Sequence, residues 1–125
     1  PHPWSVRRQR QMCIRDRFIN SLDHARFGLL FLRNGKWKNE LLLSPEWIKL
    51  VQQPSENNES YGYMWWLNRG VRKWDGLSEN IYYGAGVGGK FIVIIPDHNL
   101  VVVTRWIDSS KIGEFIKKVV DSQIN

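Results

Sequence analysis

The stretch most open to chemistry lies between residues 84 and 90, which read Gly-Ala-Gly-Val-Gly-Gly-Lys. Gly84, Gly86 and Gly89 satisfy the spacing G-x-G-x-x-G. In a dinucleotide site that pattern follows a strand and opens a helix, so that the helix N-terminus meets the pyrophosphate. Here the β-branched run 91–96 follows instead, and the nucleotide reading fails on context. Two readings stay open. The backbone lacks side chains, so a ligand can approach it closely, or it is a bend entering a strand. The histidines carry little. His24 falls in the first turn of a helical pattern and reads as a surface residue, and His98 falls in a hairpin turn and reads as solvated. No two histidines stand at metal-ligand spacing, and a single cysteine, Cys13, forms neither an internal disulfide nor a metal cluster. No metal or cofactor is expected. Glu56 and Glu59 lie in a polar loop. Tyr61, Tyr63, Trp65 and Trp66 belong to a run that reads as a strand, with one face in the core and the other available to line a cleft.

The elements that must position these residues follow from periodicity and punctuation. Asn20 with Asp23 three positions on reads as a helix start, and Leu22, Ala25, Leu29 and Leu32 recur at helical spacing. Phe27, Leu30 and Phe31 widen that apolar face, which predicts a well-buried helix ended by Asn34-Gly35. Residues 36–39 read as a turn or short strand. Ser44-Pro45-Glu46 starts a short second helix. Residues 61–68 read as an aromatic strand, 69–80 as a loop, and 81–83 as a short strand. Residues 90–95 and 100–106 are β-branched runs joined by Pro96-Asp97-His98-Asn99, a hairpin signal. Alternation puts Ile92 and Ile94 on one face, and Phe91, Val93 and Ile95 on the other. Asp108 or Ser109 is the expected cap of a last helix, whose stripe is Ile112, Phe115, Ile116, Val119 and Val120. The order predicts an α+β fold, an antiparallel sheet with flanking helices. Both sheet faces are apolar and the chain has few helices, which predicts an exposed apolar patch.

At 125 residues, with 42% hydrophobic and 24% charged, the chain has one domain's worth of length and an ordinary globular composition. No apolar run approaches the roughly 20 residues that a membrane-spanning helix needs. The net charge of +6 suggests nucleic acid, but Arg7, Arg8, Arg10, Arg15 and Arg17 lie in the first 17 residues, and the rest carries 13 basic against 11 acidic residues. A domain at +2 has no special affinity for phosphate backbones, and no nucleic-acid partner is expected. Residues 7–17 resemble, at every position, the translation of a transposase-based DNA sequencing adapter, rather than a basic arm built to bind nucleic acid. Residues 1–17 are therefore expected to be non-native and are set aside from fold reasoning. The native portion is then residues 18–125, joined to adapter at a fragment end.

Within that portion, residues 23–37 resemble the "D-x-A-R-F-G-x-L-x-L-x-x-G-x-W" helix and turn of serine hydrolases related to class C β-lactamases. Residues 43–47, Leu-Ser-Pro-Glu-Trp, are similar to that family's next helix start, and residues 61–66 to its "Y-G-Y-x-W-W" segment. Residues 86–97 and 100–103 resemble its "G-x-G-G-Q-x-I-x-V-x-P-D…L-V-V-V" hairpin, with Lys90 where Gln is common. The segments occur in matching order over residues 18–106. The resemblance implies the C-terminal part of a β-lactamase/transpeptidase-like fold. It also implies cleavage of an ester or amide bond through an acyl-enzyme. In that family a Ser in S-x-x-K attacks, the Lys and a Tyr of Y-x-N move protons, and backbone N–H groups hold the oxyanion.

None of S-x-x-K, Y-x-N or K-T-G occurs in this chain. The resemblance thus implies that catalytic Ser, Lys and Tyr belong to a missing N-terminal half of the same domain, and that this chain alone is inactive. The K-T-G position falls near residues 81–86, which read Ile-Tyr-Tyr-Gly-Ala-Gly. That departure removes the cation that binds a β-lactam carboxylate and favours an esterase or amide hydrolase acting on a small molecule. Gly84, Ala85 and Gly86 are the candidate oxyanion-side backbone. Family habit points to the periplasm or export. The alternative is a non-enzymatic module whose Trp and Tyr surface binds a ligand such as a glycan.

Overall fold

The computed structural model describes residues 20–123. The expectation of a non-native segment at 1–17 lies outside the described residues. The first helix, α1 (Ser21–Leu32), begins where sequence chemistry places it: the Asn20 side chain accepts the Asp23 N–H at 2.8 Å. It ends through Asn34 and Gly35, both at positive φ, with the Gly35 N–H donating to the Leu30 carbonyl at 2.9 Å. Its buried face is not the expected leucine stripe. His24, Gly28 and Phe31 face inward, and Leu22 and Phe27 are exposed. The reason is Gly28, where an added Cβ would lie 2.6 Å from Val101 Cγ1 and 3.0 Å from Ile92 Cγ2. The helix approaches the sheet along its least bulky line, and the larger apolar side chains are pushed to the flanks.

Strands β1 (Lys36–Trp37) and β2 (Glu40–Leu41) form a small antiparallel hairpin. Helix α2 (Pro45–Val51) is capped by the Ser44 hydroxyl, which accepts the Trp47 N–H at 3.1 Å, and buries Ile48 and Val51. The expected aromatic strand 61–68 instead folds back on itself. Gly62 N–H donates to the Trp65 carbonyl and Leu67 N–H to the Ser60 carbonyl, both at 2.8 Å, and Met64 takes φ 69°. Two residues of it, β3 (Trp66–Leu67), join the main sheet.

That sheet is antiparallel throughout, in the order β3, β4 (Tyr82–Gly86), β5 (Lys90–Ile95), β6 (Leu100–Thr104). The glycine-rich stretch is therefore strand followed by hairpin turn, with Gly86 opposite Lys90 and Gly88 and Gly89 at positive φ. The 96–99 hairpin forms as expected, with Asn99 in the left-handed region and Ile95 opposite Leu100. Strand β6 stops at Thr104, short of the expected 106.

The two sheet faces divide as alternation requires. Phe91, Val93 and Ile95 join Tyr83 and Ile81 under helix α3 (Ile112–Asp121), which contributes Ile112 and Ile116. On the opposite face Ile94, Tyr82, Leu67 and Trp65 pack with Phe31, Ile48 and Val51 from α1 and α2. Helices thus lie on both faces. Helix α3 lacks the expected side-chain cap. Asp108 accepts both the Ser110 N–H and its hydroxyl, shaping the preceding turn, and the helix starts after Lys111. Phe115 of its predicted stripe is exposed.

Candidate functional site

Hydrogen-bond alternation decides what the three candidate residues on β4 can do. Successive residues of a strand direct their N–H and C=O to opposite edges. Asn68 N–H donates to the Ile81 carbonyl at 3.1 Å, so Ile81 faces β3. Tyr83, opposite Trp66, faces β3 as well. By the same parity Ala85 is directed to that edge, and Gly84 and Gly86 are directed to β5, opposite Ile92 and Lys90. Strand β3 ends at Trp66, because the chain turns away at Trp65 toward Gly62. Among the described residues no strand pairs with β4 beside Ala85. Ala85 thus presents its N–H and C=O at an open edge, and the glycines either side lock that edge to the sheet. At Gly84 φ is not positive, and an added Cβ would meet only Trp65 Cζ3, at 3.9 Å. Nothing within the described chain requires glycine there.

Beside this edge, on the α3 face, is a cleft of about 630 Å³. Ala85 and Gly86 line it with Trp66, Trp74, Tyr83 and Phe91, and Val71, Val87, Lys73 and Ser109 stand around them. Trp74 and Tyr83 stack with ring centroids 4.5 Å apart at 17°. The far wall belongs to residues 69–80, which carry a single short 3₁₀ turn at Gly70–Arg72. That loop hangs from Asn68, whose side chain is wholly buried. Its Nδ2 donates to the Ser78 carbonyl at 2.8 Å, and its Oδ1 accepts the Trp74 N–H. At the loop's end Asn80 donates to Asp97 at 3.0 Å. Hydrogen bonds from Ser78 and Asn80 hold the Asp97 carboxyl below the usual carboxylate range. The wall is therefore a built feature. Across the sheet, burial drives the Tyr82 phenol well above its ordinary value.

The remaining sequence candidates are elsewhere. His24 is 5% exposed, not a surface residue, and its Nδ1 lies 3.2 Å from an Arg105 Nη2. His98 is half-buried in the 96–98 turn. Lys90 lies with its ammonium 5.5 Å from the centre of the Trp106 ring. Among the described residues no group of three or more His, Cys, Asp or Glu could hold a metal ion, and no helix is long and apolar enough to cross a membrane. Sequence reasoning missed Lys73, Trp74 and Ser109 as cleft residues. The one available signal was Trp74, a large aromatic side chain inside a mostly polar loop.

No family model matches the chain, and no curated protein matches its sequence. Among solved structures it is similar to a Bacillus anthracis protein assigned as a 6-aminohexanoate-dimer hydrolase. The TM-score is 0.59 at 21% identity, over 81% of this chain. The architecture is thus α+β, the C-terminal portion of a β-lactamase/transpeptidase-like fold. At that identity the likeness speaks to the fold alone. The chain spans 27% of the length of that hydrolase.

Proposed function

We propose that residues 18–125 are the C-terminal part of a serine hydrolase related to class C β-lactamases, cleaving an ester or amide bond of a small molecule through an acyl-enzyme. The observation that carries the reading is the open β4 edge at Ala85, next to a cleft, in a fold shared with a hydrolase. A tetrahedral oxyanion is stabilised by N–H donors already aimed at it. Ala85 N–H is such a donor, and Gly84 and Gly86 leave the strand bare around it. This narrows the assignment of Gly84, Ala85 and Gly86 to one donor with two positioning neighbours. The nucleophilic Ser, its Lys and the Tyr come from the rest of the domain, which packs beside the β4 edge. The chain alone is inactive.

The test joins the chain to upstream sequence carrying S-x-x-K and Y-x-N. That protein is expected to label with a fluorophosphonate and turn over a p-nitrophenyl ester, and the chain alone to do neither. Ala85→Pro removes the N–H from an edge that no described strand uses, so it should abolish acylation and leave the fold intact. Normal turnover by the Ala85→Pro protein, or labelling of the chain alone, overturns the reading.

A further inference from the structure

The β4 strand has no lysine where K-T-G enzymes have one, yet a basic residue from another element, Lys73, lines the cleft beside it. Lys73 sits on the loop 69–80, and among the described residues lining the cleft it alone is charged. The surrounding wall is aromatic and aliphatic: Trp66, Trp74, Tyr83, Phe91 and Ile112. A concave apolar wall with one cation fits a ligand that is apolar along its body and anionic at one end. The ammonium is not locked away from such a ligand. Its ion pair with Glu79 is 3.3 Å long, with both side chains well exposed, and exposed pairs of this kind are weak. A ligand whose apolar body packs on the Trp74–Tyr83 wall holds its carboxylate near the ammonium, and so competes with Glu79 for it.

We propose that Lys73 is the carboxylate-reading residue of this cleft, and that the cleft takes an amphiphilic carboxylate: an aryl or alkyl body on the Trp74–Tyr83 side and a terminal carboxylate at Lys73. As a statement about substrate this rests on the hydrolase reading. As a statement about binding it stands on the cleft alone. The occupant is selected by charge complementarity: a neutral glycan or an alcohol offers the ammonium a hydrogen-bond acceptor but no opposite charge.

The chain as it exists suffices for the test. Calorimetric titration with 6-phenylhexanoate and with its neutral counterpart 6-phenylhexan-1-ol should show saturable binding, the carboxylate roughly fivefold tighter. Lys73→Met should erase the difference and leave alcohol binding unchanged. Lys73→Arg should retain it, and Glu79→Gln should tighten carboxylate binding. The preference should fall with added salt. Equal binding of the two probes, a preference that survives Lys73→Met, or no saturable binding of either overturns the proposal. So does a chain dimer whose formation abolishes probe binding, because a second copy then fills the cleft. Because no turnover is measured, failure here leaves the hydrolase reading standing. Failure of acylation in the extended protein leaves this binding result standing.

Discussion

The two faces of the main sheet are covered in different ways. On the α1 face a glycine lets the helix settle against β5 and β6, with Gly28 against Val101 and Ile92, and aromatic rings close the flank. Trp65 lies 4.8 Å from Phe31 and 5.2 Å from Tyr82, centroid to centroid. On the α3 face the helix is anchored by Ile112 and Ile116, and the rest of the cover is a loop suspended from Asn68. Neither cover is complete: Ile92, Val101 and Val103 stay half-buried on the α1 face, and on the other face the loop, though Leu77 and Trp74 pack on the core, leaves a cleft. The cleft lies on the loop-covered face, beside the strand edge that β3 leaves open. Binding surfaces belong where covering is incomplete but rigidly held.

Breaking the suspension of the loop should have the largest effect. Asn68→Ala deletes the bonds to Ser78 and Trp74 and strands their partly buried backbone groups, which should cost about 3 kcal/mol in a denaturant titration. It should also weaken probe binding in the cleft. Equal stability would mean that the loop is held by its side-chain packing. Disturbing the α1 face should cost less. Gly28→Val forces the helix off Val101 and Ile92, with an expected loss of about 2 kcal/mol by overpacking, and cleft binding should survive because the change lies across the sheet. Loss of both in the Gly28→Val protein would show that the two faces are not independent.

The smallest effect concerns pH. The Tyr82 phenol is raised by burial on the α1 face, so the folded state resists its ionisation. Its contribution is fully present below the unfolded tyrosine value of about 10, and it is lost as pH rises from there toward the folded value. Tyr82→Phe should therefore flatten the alkaline limb of a melting-temperature profile above about pH 10, with little change near neutrality.

The elements governed by local punctuation were legible in the sequence. The Asn20 and Ser44 caps, the 96–99 hairpin and the alternation along residues 91–95 all involve chemistry within a few residues. The misreadings at α1 came from distant partners. His24 is buried because β6 brings Arg105 beneath α1, and the helix turns its glycine inward because Val101 and Ile92 are there to be met. Residues 61–66 alternate like a strand, but backbone bonds to Ser60 and Gly62 curl them into a turn. The same limit applied to the site. Gly84, Ala85 and Gly86 could be named through the family resemblance, but telling Ala85 from its neighbours needs the register against β3. Lys73 and Trp74 reach the cleft through the Asn68 bonds and the stacking of Trp74 on Tyr83, and in a sequence Asn68 reads as any asparagine before a loop.

The open edge at Ala85 is the claim on which the rest depends, and amide hydrogen exchange of the native chain reads it directly by NMR. Gly84 N–H lies in the ladder with β5, and Ala85 N–H, one residue on, faces no described strand. The account predicts that the Ala85 amide exchanges orders of magnitude faster than that of Gly84 under native conditions. Ala85 protection equal to that of Gly84 would mean that the edge is already occupied, and would contradict both its role as an oxyanion donor and the placement of the rest of the domain beside it.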